Sequence, residues 1–390
     1  MITYEEAIAI TEEYKPGCEI EYVPLIDSLG RFLAEDIKSD IDMPPFNKTA
    51  VDGYACRRED LFKELVINEV VPAGVTAKKR IETGECAKIM TGAALPDGAD
   101  WIFMVEDAQE DNDRVKFTGK PGKNNIAKRG EDIEKGDTVL LAGKRIEPQD
   151  IAVLATVGAV RVPVSKPLRV GIISTGNELV EPHNKPKPSH IRNSNAYQLI
   201  AQTMKAGAEA YYYGIAHDKE EEIFEMLKRA ISECEIILLT GGVSMGDFDM
   251  VPAVLQKAGV RIIFDRVAVQ PGKPTTFGVH KDALVFGLPG NPVSSFIQFE
   301  LFVKAMIHRA MGAIQSEGDR KHKLAKDYSR RRTRRMAWVP VNINDDESVT
   351  PVEYHGSAHI NALPGAYGVM KIPVGVSEIK KGEIVDVRQI

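Results

Sequence analysis

The chain contains little cysteine, no long apolar run and no excess of positive charge, and each absence excludes a class of protein. Its four cysteines lie far apart, with no CxxC pair among 390 residues, which excludes a disulfide framework or a cysteine-based zinc knuckle and fits a reducing cytosol. The longest apolar stretch, residues 151–160, has about half the length of a membrane helix. A formal net charge of −6 disfavours a surface for nucleic acid. The acidic start of the chain does not resemble a signal peptide, so we expect a cytoplasmic protein with no membrane and no nucleic-acid partner.

Common catalytic motifs are missing as well. The sequence has no GxSxG, HExxH or GxxxxGK[ST], and no GxGxxG after a first strand. Nothing in it therefore supports a hydrolase, a zincin, a P-loop protein or a dinucleotide-binding protein. His355 and His359 are spaced like a helical metal pair, but the intervening Gly-Ser-Ala disfavours that helix and no third ligand lies nearby in the sequence. We expect no zinc site.

What is present is the composition of a globular protein whose residue pattern changes along the chain. Apolar residues make up 43% and charged residues 27%, and at about 100–200 residues per domain the length predicts two to four domains. Residues 3–14 are amphipathic and open with a Thr3–Glu6 capping box, whereas residues 44–133 contain short β-rich runs between Gly, Pro and Asp. We predict a multidomain α/β plus β fold with a discontinuous N-terminal and linker domain (1–43 and 135–166), a small β domain (44–134), an α/β domain (167–317) and a C-terminal β-barrel domain (318–390).

From residue 167 onward, near-continuous apolar runs alternate with helical patterns. Runs such as residues 168–174 and 235–240 are typical of parallel strands that are buried on both faces. The alternation predicts an open, mostly parallel sheet with helices on both faces, in which the carboxyl ends of the strands lie at one edge. The helical patterns occupy residues 195–206, 220–232, 250–258 and 292–310.

Three of these strands end in polar loops that contain glycine, at residues 174–178, 240–247 and 287–292. Glycines let successive backbone N–H groups form a concave anion nest, and a helix with Asn291 as N-cap and Pro292 at its first position adds free N–H donors. We predict that this edge binds a phosphate or another oxyanion, although each loop alone is also explained as a simple turn. The candidate binding residues are Ser174, Thr175, Gly176, Gly241, Gly242, Ser244, Gly246, Asp247, Pro289, Gly290 and Asn291.

Carboxylates stand in the same loops, which is unexpected for a phosphate site. Glu178, Asp247 and Asp249 would repel a bound phosphate unless a hard cation lay between them, so we expect Mg²⁺ that keeps part of its water shell. Asp247 and Asp249 also have an ordinary alternative as the N-cap of the helix near Met250. The ligand role is favoured for Asp249, and the two roles have equal weight for Asp247.

Cations occur in two further places. Gly272 and Lys273 lie between two prolines after an apolar strand, so a stiff loop presents an ammonium that suits a phosphate or tetrahedral oxyanion, unless it is only a solvated turn. The tract 320–335 holds nine Lys and Arg residues against one Asp. Because the rest of the chain is acidic, an anion-facing edge of the C-terminal domain or a solvated linker is favoured over a nucleic-acid patch.

Seven motifs in this order resemble those of a known family. They are MPPFNKTAVDGYA (43–55), IMTGA (89–93), RGEDI (129–133), STGNEL (174–179), TGGVSMGD (240–247), PGKP (271–274) and GLPGNPV (287–293). Together they resemble the molybdopterin molybdenumtransferases, the MoeA family that includes the E domain of gephyrin. The resemblance runs from the N-terminal helix to the C-terminal β domain.

The resemblance implies a fold, a reaction and a set of residues. The fold would contain a MogA-like α/β domain within an elongated homodimer, with the active site at the subunit interface. The reaction would insert molybdate into adenylylated molybdopterin and release AMP, which yields molybdenum cofactor. The resemblance carries over Asp52, Thr91, Asp132, Glu178, Asp249 and Lys273 as catalytic residues, Asp249 and Glu178 as the Mg²⁺ ligands, and Arg129, Gly272, Arg335 and Ser357 as substrate-binding residues.

This sequence departs from the family pattern at several places. The triplet 47–49 reads Asn-Lys-Thr where Asp-Asn-Ser is common, Gln270 replaces a Lys, Asn177 replaces an Asp, and Ala337 replaces an acidic residue. These changes leave open whether molybdate or tungstate is preferred. Two other functions remain as alternatives: a non-catalytic molybdopterin-binding scaffold or carrier, which the retained core residues disfavour, and the related adenylyltransferase, which the extra β domains and the PGKP motif disfavour.

Overall fold

The computed structural model describes residues 1–242, 250–314 and 318–390 of the chain. These residues divide into two compact units, which we call the large unit (Met1–Glu35, Ala142–Glu147 and Arg161–Ile390) and the small unit (Asp36–Leu141 and Pro148–Val160). The four domains expected from the sequence divide the chain differently, since the discontinuous domain (1–43 and 135–166) has residues in both units, and their boundaries stay predictions.

The α-helices of the described residues coincide with the periodic segments of the sequence. The first helix begins with the predicted capping box, in which the Glu6 N–H donates to Thr3 Oγ1 at 3.1 Å and the Thr3 N–H donates to Glu6 Oε2 at 2.8 Å. In the described part of the chain, no helix has both the length and the apolar character that crossing a membrane requires. The helices are α1 (Tyr4–Glu12), α2 (Pro148–Thr156), α3 (Ser194–Lys205), α4 (Glu220–Glu233), α5 (Val251–Lys257), α6 (Pro292–Gln298) and α7 (Lys304–Ala310).

The large unit contains the predicted α/β sheet. Its strands are β1 (Arg169–Thr175), β2 (Glu209–Ala216), β3 (Ile236–Thr240), β4 (Arg261–Phe264), β5 (Thr276–Val279) and β6 (Leu284–Leu288), in the spatial order β2-β1-β3-β6-β5-β4. The pairings among β2, β1, β3 and β6 are parallel, which confirms a mostly parallel sheet. β5 runs antiparallel to both neighbours and was not expected. A short turn joins it to β6, so it lacks the helical crossover on which the prediction relied.

Helices cover both faces of this sheet, as predicted. Ile172 and Leu238 face one side, where they join a cluster that includes residues of α3 and α6. Ile173 and Leu239 face the other side, where they join a cluster that includes residues of α4 and α5. Because successive residues of one strand are buried on opposite faces, the strand sequences are apolar without a break.

The helix predicted over residues 292–310 is continuous in the chain but not uniform. α6 leads into a π-helical turn at Phe299–Val303, and α7 follows directly. Short π segments within α-helices occur often near functional sites. Here the π turn begins immediately after Gln298, the last residue of α6.

The C-terminal part of the large unit forms the predicted β-barrel. A bridge between Leu324 and Val349 closes the path of paired strands, and Val341, Met370 and Val387 belong to its apolar core. The strands pair in the order Val269–Gln270, Met336–Ile343, Gly368–Ile372, Ile384–Gln389 and Arg320–Lys323, with Val349–Pro351 beside Met336–Ile343.

The small unit is built on one sheet with apolar clusters on both sides. One cluster includes Tyr54 and Leu65, and the other includes Ala55 and Ile102. The short β-rich runs between residues 44 and 133 therefore fold into a single layer. Its strands, in spatial order, are Trp101–Met104, Gly53–Cys56, Glu85–Ile89, Glu64–Val71, Arg114–Phe117 and Ala108–Asp111.

Candidate active site

The three glycine loops lie together at the carboxyl edge of the α/β sheet. In the parallel register Ser174 of β1 pairs with Thr240 of β3, and Thr240 pairs with Leu288 of β6. The strands therefore end side by side and deliver their loops to one place, as expected for parallel neighbours. We call the described parts of these loops, residues 174–178, 240–242 and 287–292, the glycine edge.

Close backbone packing explains why glycine occupies this edge. The Gly241 N–H donates to the Leu288 carbonyl at 3.3 Å. A Cβ on Gly241 would lie 2.3 Å from the carbonyl oxygen of Thr175, and a Cβ on Gly290 would lie 3.6 Å from the Cα of Gly241. Gly241 also has a φ of +96°, which residues with side chains rarely adopt. The three loops are thus in direct contact with one another.

Two hydroxyls at the end of β1 have different environments. Ser174 is buried and its Oγ donates to Asn193 Oδ1 at 3.1 Å, so this hydroxyl is engaged within the protein. Thr175 is 2% exposed, yet its Oγ1 has no hydrogen-bond partner in the described part of the chain. This oxygen lies beside the backbone of Gly241 and Gly242. Because a buried hydroxyl without a partner is costly, its position at the glycine edge favours a polar ligand there.

Asn195 joins two of the glycine loops, and sequence reasoning missed it. This buried residue lies in the first turn of α3, and its Nδ2 donates to Thr240 Oγ1 at 2.9 Å and to the Gly290 carbonyl at 2.8 Å. One side chain therefore ties together the loops that follow β3 and β6. The available signal is a polar residue beside the buried Ala196 and Leu199, and it is weak because the same helix also buries Gln202 and Thr203.

The third glycine loop leads into α6 with Asn291 at the N-cap and Pro292 in the first turn, as predicted. The Asn291 side chain does not cap the helix, because its Nδ2 donates to Ser357 Oγ at 2.9 Å. The Val293 N–H donates to the Ser357 carbonyl at 3.0 Å. These contacts place Ser357 beside the amino end of α6, whereas Pro289 is buried beneath the loop.

Lys273 is presented by a fixed backbone. Its carbonyl oxygen accepts hydrogen bonds from the N–H groups of Val267 and Thr275, each at 3.0 Å. Its side chain is exposed and forms no hydrogen bond or ion pair with any residue that the structure describes. The preceding Gly272 is buried and has a φ of +102°, so the turn itself requires glycine. The ammonium is thus held on a rigid loop and is free to meet an anion.

Arg335 lies against the same segment of the large unit. Its Nη1 donates to the Val269 carbonyl at 3.1 Å. Burial, and then the neighbouring Arg332, lower the pKa of Arg335, yet a guanidinium remains charged at neutral pH. Lys273 and Arg335 therefore place two cations close to one short strand and its loop, an arrangement that suits an oxyanion.

Asp52 and Thr91 form a direct pair in the small unit. Oδ1 of Asp52 accepts hydrogen bonds from the Thr91 N–H and from Thr91 Oγ1, each at 2.6 Å. The hydrogen bond from the Thr91 side chain, and then that from its backbone, lower the pKa of Asp52. The carboxylate is therefore ionised at neutral pH, and both residues are exposed.

Arg129 also lies in the small unit, where it has a partner that sequence reasoning did not anticipate. Its Nε donates to Asp42 Oδ2 at 2.6 Å. The Lys135 N–H, and then the Arg129 guanidinium, lower the pKa of Asp42. Asp132 is exposed, and its N–H donates to the Met43 carbonyl at 3.0 Å. A single sequence gives no signal for an ion pair between residues 87 positions apart.

The predicted Mg²⁺ ligands are described only in part. Glu178 is exposed, and its Oε2 would lie 2.5 Å from a Cβ on Gly176. Among the described residues, no group of three or more His, Cys, Asp or Glu side chains is placed to hold a metal ion. Mg²⁺ commonly takes one or two carboxylates and completes its shell with water and substrate phosphates, so Glu178 fits an ion that arrives with a phosphate. Ser244, Gly246, Asp247 and Asp249 lie outside the described residues.

Comparisons with known proteins cover nearly the whole chain. Residues 2–158 match the MoeA N-terminal region (domain I and II), residues 171–309 match a probable molybdopterin binding domain, and residues 321–390 match the MoeA C-terminal region (domain IV). The molybdopterin molybdenumtransferase of Bacillus subtilis is 36% identical over 407 residues, which cover 99% of this chain and 93% of that protein. The chain belongs to the MoeA family.

Further MoeA relatives span the same length. The molybdopterin molybdenumtransferase of Staphylococcus epidermidis is 35% identical over 94% of this chain and 90% of its own. A putative molybdopterin biosynthesis protein of Methanocaldococcus jannaschii is 35% identical over 99% of this chain and 95% of its own. The crystal structure of a MoeA protein from Pyrococcus horikoshii is 32% identical, covers all of both chains and superposes with a TM-score of 0.88. The resemblance seen in the motifs and the multidomain α/β plus β fold are thus confirmed.

Proposed function

We propose that this MoeA family member is a molybdopterin molybdenumtransferase of molybdenum cofactor biosynthesis, which inserts molybdate into adenylylated molybdopterin and releases AMP. The observation that carries the proposal is the convergence of three glycine loops around the buried Thr175 hydroxyl, which has no hydrogen-bond partner in the described part of the chain. Backbone N–H groups in such loops and at the amino end of α6 suit the phosphates of an adenylylated substrate. Family membership supports the same substrate class.

Two cations of the large unit are assigned to the tetrahedral oxyanion. Molybdate is a dianion, and Lys273 and Arg335 supply charge-assisted hydrogen-bond donors beside the same short strand and its loop. The Ser357 hydroxyl is assigned as a further polar partner. Lys273 is also assigned to the negative charge that develops on the adenylate phosphate as it leaves, because a preorganised cation there lowers the barrier.

The remaining predicted residues are assigned by their local chemistry. Asp52, kept ionised by Thr91, and the exposed Asp132 supply carboxylates in the small unit, whereas Arg129 is already paired with Asp42. Mg²⁺ would be held by Glu178 and Asp249 together with phosphate oxygens, and it would neutralise phosphate charge when bound. The cytoplasmic location stays part of the proposal, and four free cysteines support it.

AMP release tests the reaction. The purified protein is incubated with adenylylated molybdopterin, Mg²⁺ and either molybdate or tungstate, and AMP is measured. We expect release that depends on an oxyanion, and Lys273→Ala should lower kcat/KM by about 10²-fold if an oriented cation is lost. The rates with the two oxyanions give the metal preference. Consumption of ATP and free molybdopterin would instead identify an adenylyltransferase, and binding without AMP release would identify a carrier.

Subunit mixing tests the proposed homodimer with its site at the interface. Asp52→Ala and Lys273→Ala are each expected to have very low activity alone. Random mixing of the two variants should restore roughly a quarter of wild-type activity, because half of the dimers would be mixed and each would have one intact site. A mixture that stays inactive, although light scattering shows exchanged dimers, would place both residues in a site within one subunit.

A further inference from the structure

The loop that carries Lys273 is fastened to α6 by one amide side chain. Gln298, the last residue of α6, is 0% exposed. Its Nε2 donates to the Pro271 carbonyl at 3.0 Å, and its Oε1 accepts from Thr275 Oγ1 at 3.0 Å. The two ends of the amide therefore hold the loop on both sides of Lys273.

The space for this amide exists because residue 272 is a glycine. A Cβ on Gly272 would lie 2.3 Å from Nε2 and 2.6 Å from Cδ of Gln298. Thr275 Oγ1 also lies 2.7 Å from the Gly272 carbonyl. The buried amide and the turn thus fit each other closely, and neither accepts an added side-chain atom without moving the other.

The same helix connects this loop with the glycine edge. Asn291, the N-cap of α6, directly follows Gly290 of the third glycine loop, and α6 ends at Gln298. A helix of this length is rigid compared with a surface loop. Because the Lys273 side chain has no hydrogen bond or ion pair with a described residue, the position of its ammonium follows the loop backbone, which the Val267 N–H and the Gln298 amide both hold.

We propose that Gln298 is a positioning residue for Lys273, which sets where the ammonium lies relative to the bound tetrahedral oxyanion. This inference rests on the proposed function and goes beyond it. Gln298 itself touches no substrate, since it is fully enclosed. Loss of the Gln298 amide leaves the Lys273 side chain unchanged but lets the loop shift. A small misplacement of a reacting or binding group costs up to about 10²-fold in rate.

A double-mutant cycle tests the coupling. Gln298→Met, which keeps the length of the side chain and removes both polar ends, is made in the wild type and in Lys273→Ala. We expect kcat/KM for the oxyanion to fall about tenfold in the wild-type background and less than about twofold in Lys273→Ala. The KM for adenylylated molybdopterin should change less than about twofold. Equal losses in both backgrounds would overturn the proposal. Should Lys273→Ala fall below detection, the same cycle is measured on the affinity for molybdate or tungstate.

A conservative variant provides a rescue. In the Gln298→Glu variant, the ionised carboxylate can accept a hydrogen bond from Thr275 but has no donor for the Pro271 carbonyl. The protonated carboxyl has one such donor. Its activity relative to wild type should therefore rise as the pH falls through the titration of this buried carboxyl, while that of Gln298→Met stays flat. A ratio for Gln298→Glu that does not depend on pH would contradict the assigned role of the Nε2 donor.

Gln202→Met is the matched control. Gln202 of α3 is also buried, and its Nε2 donates to Glu300 Oε1 at 2.7 Å, beside the same helix but away from the Lys273 loop. We expect a comparable loss of melting temperature with kcat/KM for the oxyanion unchanged. A similar fall in kcat/KM in Gln202→Met would show that Gln298→Met acts through the general stability of the protein. Absence of AMP release from the wild type would refute the proposed function. If the wild type is active but the effects of the two substitutions simply add, only this inference is refuted.

Discussion

At the glycine edge, the single side chain of Asn195 connects two of the loops. Its Nδ2 meets Thr240 Oγ1 and the Gly290 carbonyl, which follow two different strands. Asn195→Ala removes the donor from the buried Thr240 hydroxyl and from the Gly290 carbonyl, so we expect a loss of about 1–3 kcal/mol in the free energy of unfolding together with reduced AMP release. Urea unfolding measures the first and the transferase assay the second. Asn361→Ala, at an exposed position, should stay within about 0.5 kcal/mol of wild type; an equal effect at both positions would contradict the bridging role.

The Asp52–Thr91 pair makes a prediction about pH. The folded-state pKa of Asp52 is lowered, first by the Thr91 side chain and then by its backbone. Its contribution to stability is therefore fully present above the unfolded pKa of about 3.9 and is lost as the pH falls through the lower folded value. Asp52→Asn should flatten the stability of the small unit in this acidic window, and Thr91→Val, which keeps the backbone donor, should give an intermediate profile. An unchanged acid profile in Asp52→Asn, followed by circular dichroism, would contradict the lowered pKa.

At the scale of the element, the turn at Gly272 combines backbone conformation with packing. Gly382 provides a matched control, since it has a φ of +90° but nothing within 4 Å of an added Cβ. Gly382→Ala should therefore cost about 1–2 kcal/mol from the left-handed backbone alone. Gly272→Ala adds the clash with the Gln298 amide and should cost about 1–3 kcal/mol more, with a fall in kcat/KM for the oxyanion. Equal destabilisation of the two variants in urea would show that the amide moves aside without cost.

The four free thiols lie in both units of the molecule, so their labelling can follow the unfolding of each unit separately. Cys56 and Cys86 lie opposite each other on neighbouring strands of the small unit as free thiols. Burial raises the pKa of each thiol to about 12. Cys234 is buried in the large unit, and Cys18 is partly exposed. Since the thiolate is the reactive form, we expect a maleimide to label Cys18 first, and the other three only as their own unit unfolds. Peptide mass mapping after timed labelling identifies each site, and fast native labelling of Cys56 or Cys86 would contradict the described burial.

Features that depend on neighbouring residues were predictable from the sequence alone. Apolar runs between helical patterns predicted the parallel strands, and glycine loops directly after those runs predicted a shared edge. Asn291 and Pro292 predicted the start of α6. Such inferences succeed because strand burial, helix capping and glycine conformation are set within a few positions along the chain.

The side chains that hold those features in place became known from the folded chain and not from the sequence. Asn195 reaches Gly290 across 95 positions, Gln298 reaches Pro271 across 27, and Arg129 meets Asp42 across 87. The antiparallel β5 and the closure of the barrel through Leu324 belong to the same class. These contacts are hydrogen bonds and pairings between distant segments, and their partners are chosen by the packing of the folded chain, so no local pattern of residue types encodes them.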